Sequence, residues 1–258
     1  IRRPPRSTLD RSSAASDVYK RQIMKDFFIS IFGKPEGIIL FQLIEASQFT
    51  IYLSLIAFIG GAFGGAIITI LRILPNNLLQ KSATTFVWLF QSTPLLMLLF
   101  LTGLGAPRLL GLNTDPWLAA IISLTLHSTA FMADVWRGAI ESVPKGQWEA
   151  ARALGLGFFR TLQKIIMPQA LRSAMAPTVS FMVQIVKGTS LAYIIGFHDL
   201  MAIGKRWANS TVAGSEPFII FPLMALIYFS ICYPLTLWSR HLEKRLGNAS
   251  KVPIITTA

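Results

Sequence analysis

The chain has 258 residues, of which 53% are hydrophobic and only 14% charged. That balance is too apolar for an ordinary soluble domain, and a single cysteine, Cys232, excludes an intrachain disulfide. The formal charge of +12 would suit a nucleic-acid binder. However, the basic residues lie mainly between long apolar runs and no soluble basic domain is left over, so nucleic acid is excluded as a partner.

Residues 1–22, IRRPPRSTLDRSSAASDVYKRQ, are rich in Arg, Ser and Pro. They have no apolar period and no secretory h-region. This stretch is expected to be irregular and foreign to the working protein. Residues 23–45 read as an N-terminal interfacial segment with a helix near Phe27 to Phe32, interrupted by Lys34, Pro35 and Glu36.

A membrane span needs ~20 mostly apolar residues. Five runs qualify: Ala46 to Leu71, Thr84 to Thr102, Pro116 to Val135, Ala176 to Phe197, and Pro217 to Trp238. The predicted fold is all-α, a polytopic helix bundle of about five spans in membrane lipid. One membrane domain covers 46–247, with a short tail at 248–258. In the first run, Gly60, Gly61, Gly64 and Gly65 form two overlapping small-xxx-small pairs, expected to serve internal packing. Pro94, midway in the second run, predicts a kink.

Orientation follows from Lys and Arg in short loops. Arg72 and Lys81 follow the first run. Arg137, Lys145, Arg152, Arg160, Lys164 and Arg172 follow the third, and Arg240, Lys244, Arg245 and Lys251 the last. With five spans these fall on one side, expected to be cytoplasmic together with the C-terminus. The cations of residues 1–34 would then lie outside, a second reason to set 1–22 aside.

The third and fourth runs are joined by a soluble-looking, cationic stretch. Ser142 is expected to cap a helix with Pro144 in its first turn. That helix runs through Trp148, Ala151 and Leu154, and Gly155 and Gly157 stop it. Phe158, Leu162, Ile165 and Ile166 then form one apolar stripe of a second short helix, and Pro168 bends the chain toward the next span. A helix pair of this kind either lies on the lipid surface or docks as a knob into a groove on a cytoplasmic partner.

The spacing Glu149-Ala150-Ala151, Gly155, Ile165 and Met167-Pro168 resembles the EAA loop of ABC importer permeases, with Met167 where Leu is usual. Gln91-Ser-Thr-Pro-Leu-Leu, the stretch Ala130 to Glu149 and Lys187-Gly-Thr-Ser-Leu191 resemble further signatures of the polar amino acid uptake subfamily. Gln91, Asp134 and Gly188 depart from its usual Arg, Glu and Asp. The likeness covers roughly residues 40 to 247.

The resemblance implies a permease subunit of an ATP-driven importer in the bacterial inner membrane. Its implied partners are ABC ATPase subunits, a second permease subunit (a copy or a relative), a periplasmic substrate-binding protein and an amino-acid substrate. Gln147, Glu149, Ala150, Ala151, Gly155, Ile165 and Pro168 would couple to the ATPase. The chain has no Gly-x-x-x-x-Gly-Lys-Ser/Thr run. It is therefore not expected to hydrolyse ATP, which the partner uses; no paired carboxylates, His-Glu-x-x-His or nucleophile elbow supports a membrane-embedded enzyme, and no cofactor is expected on this chain.

Candidates for the substrate path are Thr93, Pro94, Asp134, Lys187, Thr189 and Ser190. Lys187 is an ionisable group inside an apolar run; it could attract a carboxylate or pair with Asp134. His127 and His198 are not spaced as metal ligands, and no metal site is expected. A secondary transporter or channel is the alternative, but no inverted repeat supports it.

Overall fold

The computed structural model describes residues 8–111 and 115–247, which contain helices and no strand. Helix α1 (Thr8–Phe32) precedes α2 (Glu36–Ile73) and α3 (Asn77–Ser92). Next come α4 (Leu95–Phe100), a π-helical stretch (Leu101–Gly105), α5 (Ala106–Leu110) and α6 (Pro116–Glu141). Helix α7 (Lys145–Ala153) leads to α8 (Phe158–Thr161), which runs through a π segment (Leu162–Ile166) into α9 (Met167–Thr189). A 3-10 stretch (Ser190–Ile195), α10 (Leu200–Ala208) and α11 (Pro217–Gly247) complete the chain.

Four stretches are long and apolar enough to cross a membrane: Glu36–Ile73, Pro116–Glu141, Phe158–Ile195 and Pro217–Leu246. The fifth expected span is different. Its two halves, Asn77–Ser92 and Leu95–Leu109, meet at 98°, a break where the sequence suggested a kink. Pro94 has no N–H and disfavours a helical residue before it. Thr93 accordingly takes φ −89° and ψ 123°, and Pro94 is also extended.

The N-terminal expectations need correction where that region is described. Residues 8–22 belong to α1 rather than to an irregular stretch. Residues 36–45 belong to α2, so the first long helix starts ten residues before Ala46. Tertiary contact supplies what composition lacks: Phe28, stacked on Phe32 within α1, meets Phe41 of α2 at 6.4 Å between ring centroids. Phe27 and Ile31 are exposed. Residues 1–7 and the tail 248–258 lie outside the described residues.

The tightest packing is between α2 and α6, where the four glycines do serve the bundle's interior. A Cβ on Gly60 would lie 2.9 Å from Thr125, and one on Gly65 2.9 Å from Met132. Gly61 and Gly64 are crowded more closely still, by Ser128 and Thr129. Close approach of this kind is how helices associate where burial in lipid brings little hydrophobic gain. Around the seam, Leu53, Leu99, Leu124, Met132, Phe181 and Phe197 form the main core.

Helix α6 and the long stretch 158–195 run in opposite directions, since Ala139 and Ile140 pack near Ala170 and Ala174 while Leu124 packs near Phe181 and Ile185; residues 142–157 join them. That junction marks one end of the bundle, the loop end. The 3-10 stretch and α10 lie at the far end.

Candidate functional site

At the loop end, α6 finishes at Ser142. Its hydroxyl donates back to the Ala139 carbonyl at 2.7 Å, so Ser142 closes α6 instead of capping the next helix. Pro144 takes the capping position of α7. A proline suits this end because the first N–H groups of a helix have no partner within it.

Helix α7 ends as its glycine requires. Gly155 adopts φ +72°, the left-handed region that costs a glycine nothing. The Gly155 N–H donates to the Arg152 carbonyl at 2.9 Å, and the Leu156 N–H to that of Ala151 at 3.0 Å. These two bonds form a Schellman turn. A Cβ on Gly155 would meet nothing within 4 Å, so conformation and not space demands glycine here.

The turn fixes which side of α7 faces the protein. Trp148 stacks on Phe158, with ring centroids 5.9 Å apart. Trp148, Leu162, Ile165 and Met167 pack around buried Ala139, Ile140, Val143 and Ile166. Gln147, Glu149, Ala150 and Gly155 are exposed, as are Leu154 at 77% and Phe159 at 67%. Ala151, expected to face a partner, is 1% exposed and belongs to the inner side. Beside the exposed strip, Lys145, Glu149, Arg152 and Phe158 are among the residues lining a cavity of about 470 Å³.

The second short helix of the sequence reading is not separate. Residues 158–195 form one long stretch, and Pro168 lies in its first α-turn after the π segment, without a break. In that segment the Met167 N–H reaches back five residues to Leu162. Pro168 has no N–H to continue the ladder, and such widened turns tolerate the missing donor. The Gln169 side-chain amide donates to the Ile165 carbonyl at 2.8 Å.

The substrate-path candidates separate into two groups. Thr93 and Pro94 form the break of the bent span, and the Thr93 hydroxyl donates to the Leu89 carbonyl at 2.7 Å. A Cβ on Gly188 would lie 3.0 Å from Leu95 and 3.7 Å from Leu124, so the fold brings the break beside the segment Lys187 to Ser190. Lys187 is exposed. Thr189 is buried and its hydroxyl donates to Val186, while that of Ser190 donates to Lys187.

Asp134 is not part of this group. It accepts from Arg72 Nη1 at 2.9 Å, tying α2 to α6 toward the loop end. The level of Lys187 is that of Leu124 and Thr125, about nine residues or ~13 Å of helix from Asp134, so the two do not pair. Arg72 is thereby corrected as well: its side chain is 3% exposed, a buried partner and not a loop charge. An arginine at the end of an apolar run and an aspartate 62 residues on were the only sequence signal for this pair. No group of His, Cys, Asp and Glu capable of holding a metal occurs among the described residues.

The geometry is that of a helical membrane domain bearing an exposed, rigid elbow at one end. Residues 61–248 match the family described as "Binding-protein-dependent transport system inner membrane component", and the chain belongs to that family. It is 36% identical over 196 residues to the "Probable glutamine ABC transporter permease protein GlnP" of Bacillus subtilis (strain 168), covering 76% of this chain and 89% of that one. The nopaline transport system permease protein NocM of Agrobacterium fabrum is 28% identical, with 81% and 92% covered. In fold it resembles a chain of an amino acid ABC transporter crystallised with histidines, at TM-score 0.73 and 24% identity over 79% of this chain and 93% of that one. A second likeness is to the inward-facing MetNI methionine ABC transporter, at TM-score 0.64 and 20% identity over 83% and 98% of the two chains.

Proposed function

We propose that this chain is the membrane-spanning permease subunit of an ATP-driven importer of polar amino acids in the bacterial inner membrane. Elbow 145–161 is its grip for a separate ATPase subunit. The carrying observation is the division of α7 into two faces. Trp148 and Ala151 anchor the helix to the bundle, while Glu149, Ala150, Leu154 and Gly155 stand outward on a turn that backbone geometry fixes. A rigid helix joined directly to α9 can pass a displacement into the membrane, as a flexible loop cannot.

In this mechanism the loop end is cytoplasmic, in line with its cluster of basic residues. Glu149 pairs with a basic group on the ATPase, and exposed Leu154 fills an apolar depression beside it. Closure of the ATPase dimer draws the elbows of two permease subunits together. The long stretch 158–195 then rocks, shifting the balance between inward-open and outward-open states by differential contact energy. A binding protein delivers the amino acid at the far end. The bent span at Thr93 and Pro94, next to Lys187 to Ser190, lies along the route. ATP is hydrolysed by the partner and not by this chain.

The test is Gly155→Asp in proteoliposomes containing the ATPase and binding protein. ATP-driven uptake and its coupling to ATP hydrolysis are expected to be lost, with the protein still inserted. Survival of both would reject the elbow as the coupling site.

A further inference from the structure

At the far end the chain leaves the 3-10 stretch, turns at Gly196 (φ +89°) and enters α10. The surface carries here an open depression of about 240 Å³, whose lining includes Tyr193, Gly196, His198, Lys205, Arg206 and Asn209. Sites for drug-sized ligands run to ~300–1,000 Å³, so this cavity suits one small solute.

Its lining contains two permanent cations and a histidine, and no acidic side chain. Among the described residues none of Lys205, Arg206 and His198 forms an ion pair. The neighbouring carboxylate, Asp199, is turned inward and fully buried. It accepts from the Ala202 N–H at 3.0 Å and from the Tyr228 hydroxyl at 3.4 Å. Lys205 donates to the Tyr193 hydroxyl oxygen at 2.9 Å, with its ammonium 4.5 Å from the ring centroid. Because that oxygen accepts, the phenol's own hydrogen is left to donate. Lys205 and Arg206 suit the last turn of α10 through its dipole. The dipole does not account for His198 and Tyr193 facing the same space. Cations gathered round one cavity repel each other, and a bound anion removes that cost.

We propose that this cavity binds the carboxylate of a small solute at the outer surface. Arg206 and Lys205 supply the charge, and Tyr193, His198 and Asn209 supply hydrogen bonds. The site rests on the importer reading, which turns this end outward and gives the chain an amino-acid cargo. It would hold the cargo by the group that all amino acids share, before the membrane is crossed.

The test uses the permease–ATPase complex in nanodiscs of phosphatidylcholine alone, without binding protein, so that no anionic lipid headgroup competes. Radiolabelled glutamine, arginine and histidine are the probes. Acetate, chloride and the carboxamide forms of the three amino acids are the competitors. Binding displaced by acetate but not by the carboxamides is expected. Lys205→Met with Arg206→Gln should weaken it by about tenfold or more, while the charge-keeping Lys205→Arg with Arg206→Lys retains it. Equal binding by the neutral double variant, equal competition by the carboxamides, or occupancy by chloride only would overturn the proposal. With the binding protein then added back, a double variant that changes only its capture would also overturn the proposal, making the patch a protein-docking surface. Uptake by the wild-type complex with its binding protein is measured alongside. Absence of any amino-acid uptake refutes the importer reading itself, whereas intact uptake without binding at this cavity overturns the carboxylate site alone.

Discussion

Gly61 in the α2–α6 seam and Gly155 in the elbow are the same residue used for opposite reasons. Gly61 has an ordinary helical backbone but no room: an added Cβ would lie 3.1 Å from the Ser128 carbonyl carbon and closer still to its side chain. Gly155 has room but a backbone at φ +72° that other residues resist. The seam is thus held by contact, and the elbow by conformation. Damage to the first should appear as lost stability. Damage to the second should appear as lost coupling in a protein that still folds.

The largest effect is expected in the seam. Gly61→Val forces two backbones apart and should cost about 3 kcal/mol or more, read as a lower Tm in detergent and poor accumulation in the membrane. An unchanged Tm would mean the crowding at Ser128 is relieved without cost.

Next comes the ion pair that ties the same two helices. Asp134→Ala leaves the buried Arg72 guanidinium without its carboxylate, at a cost of about 2–3 kcal/mol once the half exposure of Asp134 is allowed for. Arg72→Met with Asp134→Leu should recover much of that loss. If the single and double variants melt alike, the pair has no structural weight.

In the elbow, Gly155→Ala should cost only about 1 kcal/mol of left-handed strain, leaving Tm within a few degrees. Uptake should fall several-fold through misdirection of Glu149 and Leu154. Equal losses of stability at Gly61 and Gly155 would erase the contrast between the two regions.

The smallest effect is a pH dependence at the far end. Burial pushes the Asp199 carboxyl from its ordinary 3.8 up to about 6, against the pull of its hydrogen bonds from the Ala202 and Met201 backbone. Between those values the folded chain holds a proton that the unfolded chain has released. Stability therefore falls as pH rises from about 4 to about 6 and levels off above. Asp199→Asn keeps an oxygen for the α10 cap and should flatten this part of the Tm-against-pH curve. An unaltered slope would place the titration elsewhere.

The seam and elbow also differ in how far they could be read in advance. Gly155 announced its turn because a left-handed helix end is a local requirement, satisfied or not within six residues. The glycine pairs at 60–65 indicated a close approach without saying to what. Thr125, Ser128 and Thr129 carry no mark of their own as its target. Pro94 signalled a disturbance, but a local rule could not distinguish a kink from a 98° break.

Apolar runs, together with Pro144 and Gly155, by themselves determined a bundle of about five spans with an elbow. Both are short-range properties, the first of solvation and the second of backbone geometry. Only the tertiary structure decided that Asp134 meets Arg72 and not Lys187, that Ala151 turns inward, and that Lys205, Arg206 and His198 share a cavity. Those outcomes depend on which helix faces lie at the same depth. That is set by packing of the whole bundle, and no stretch of sequence contains it.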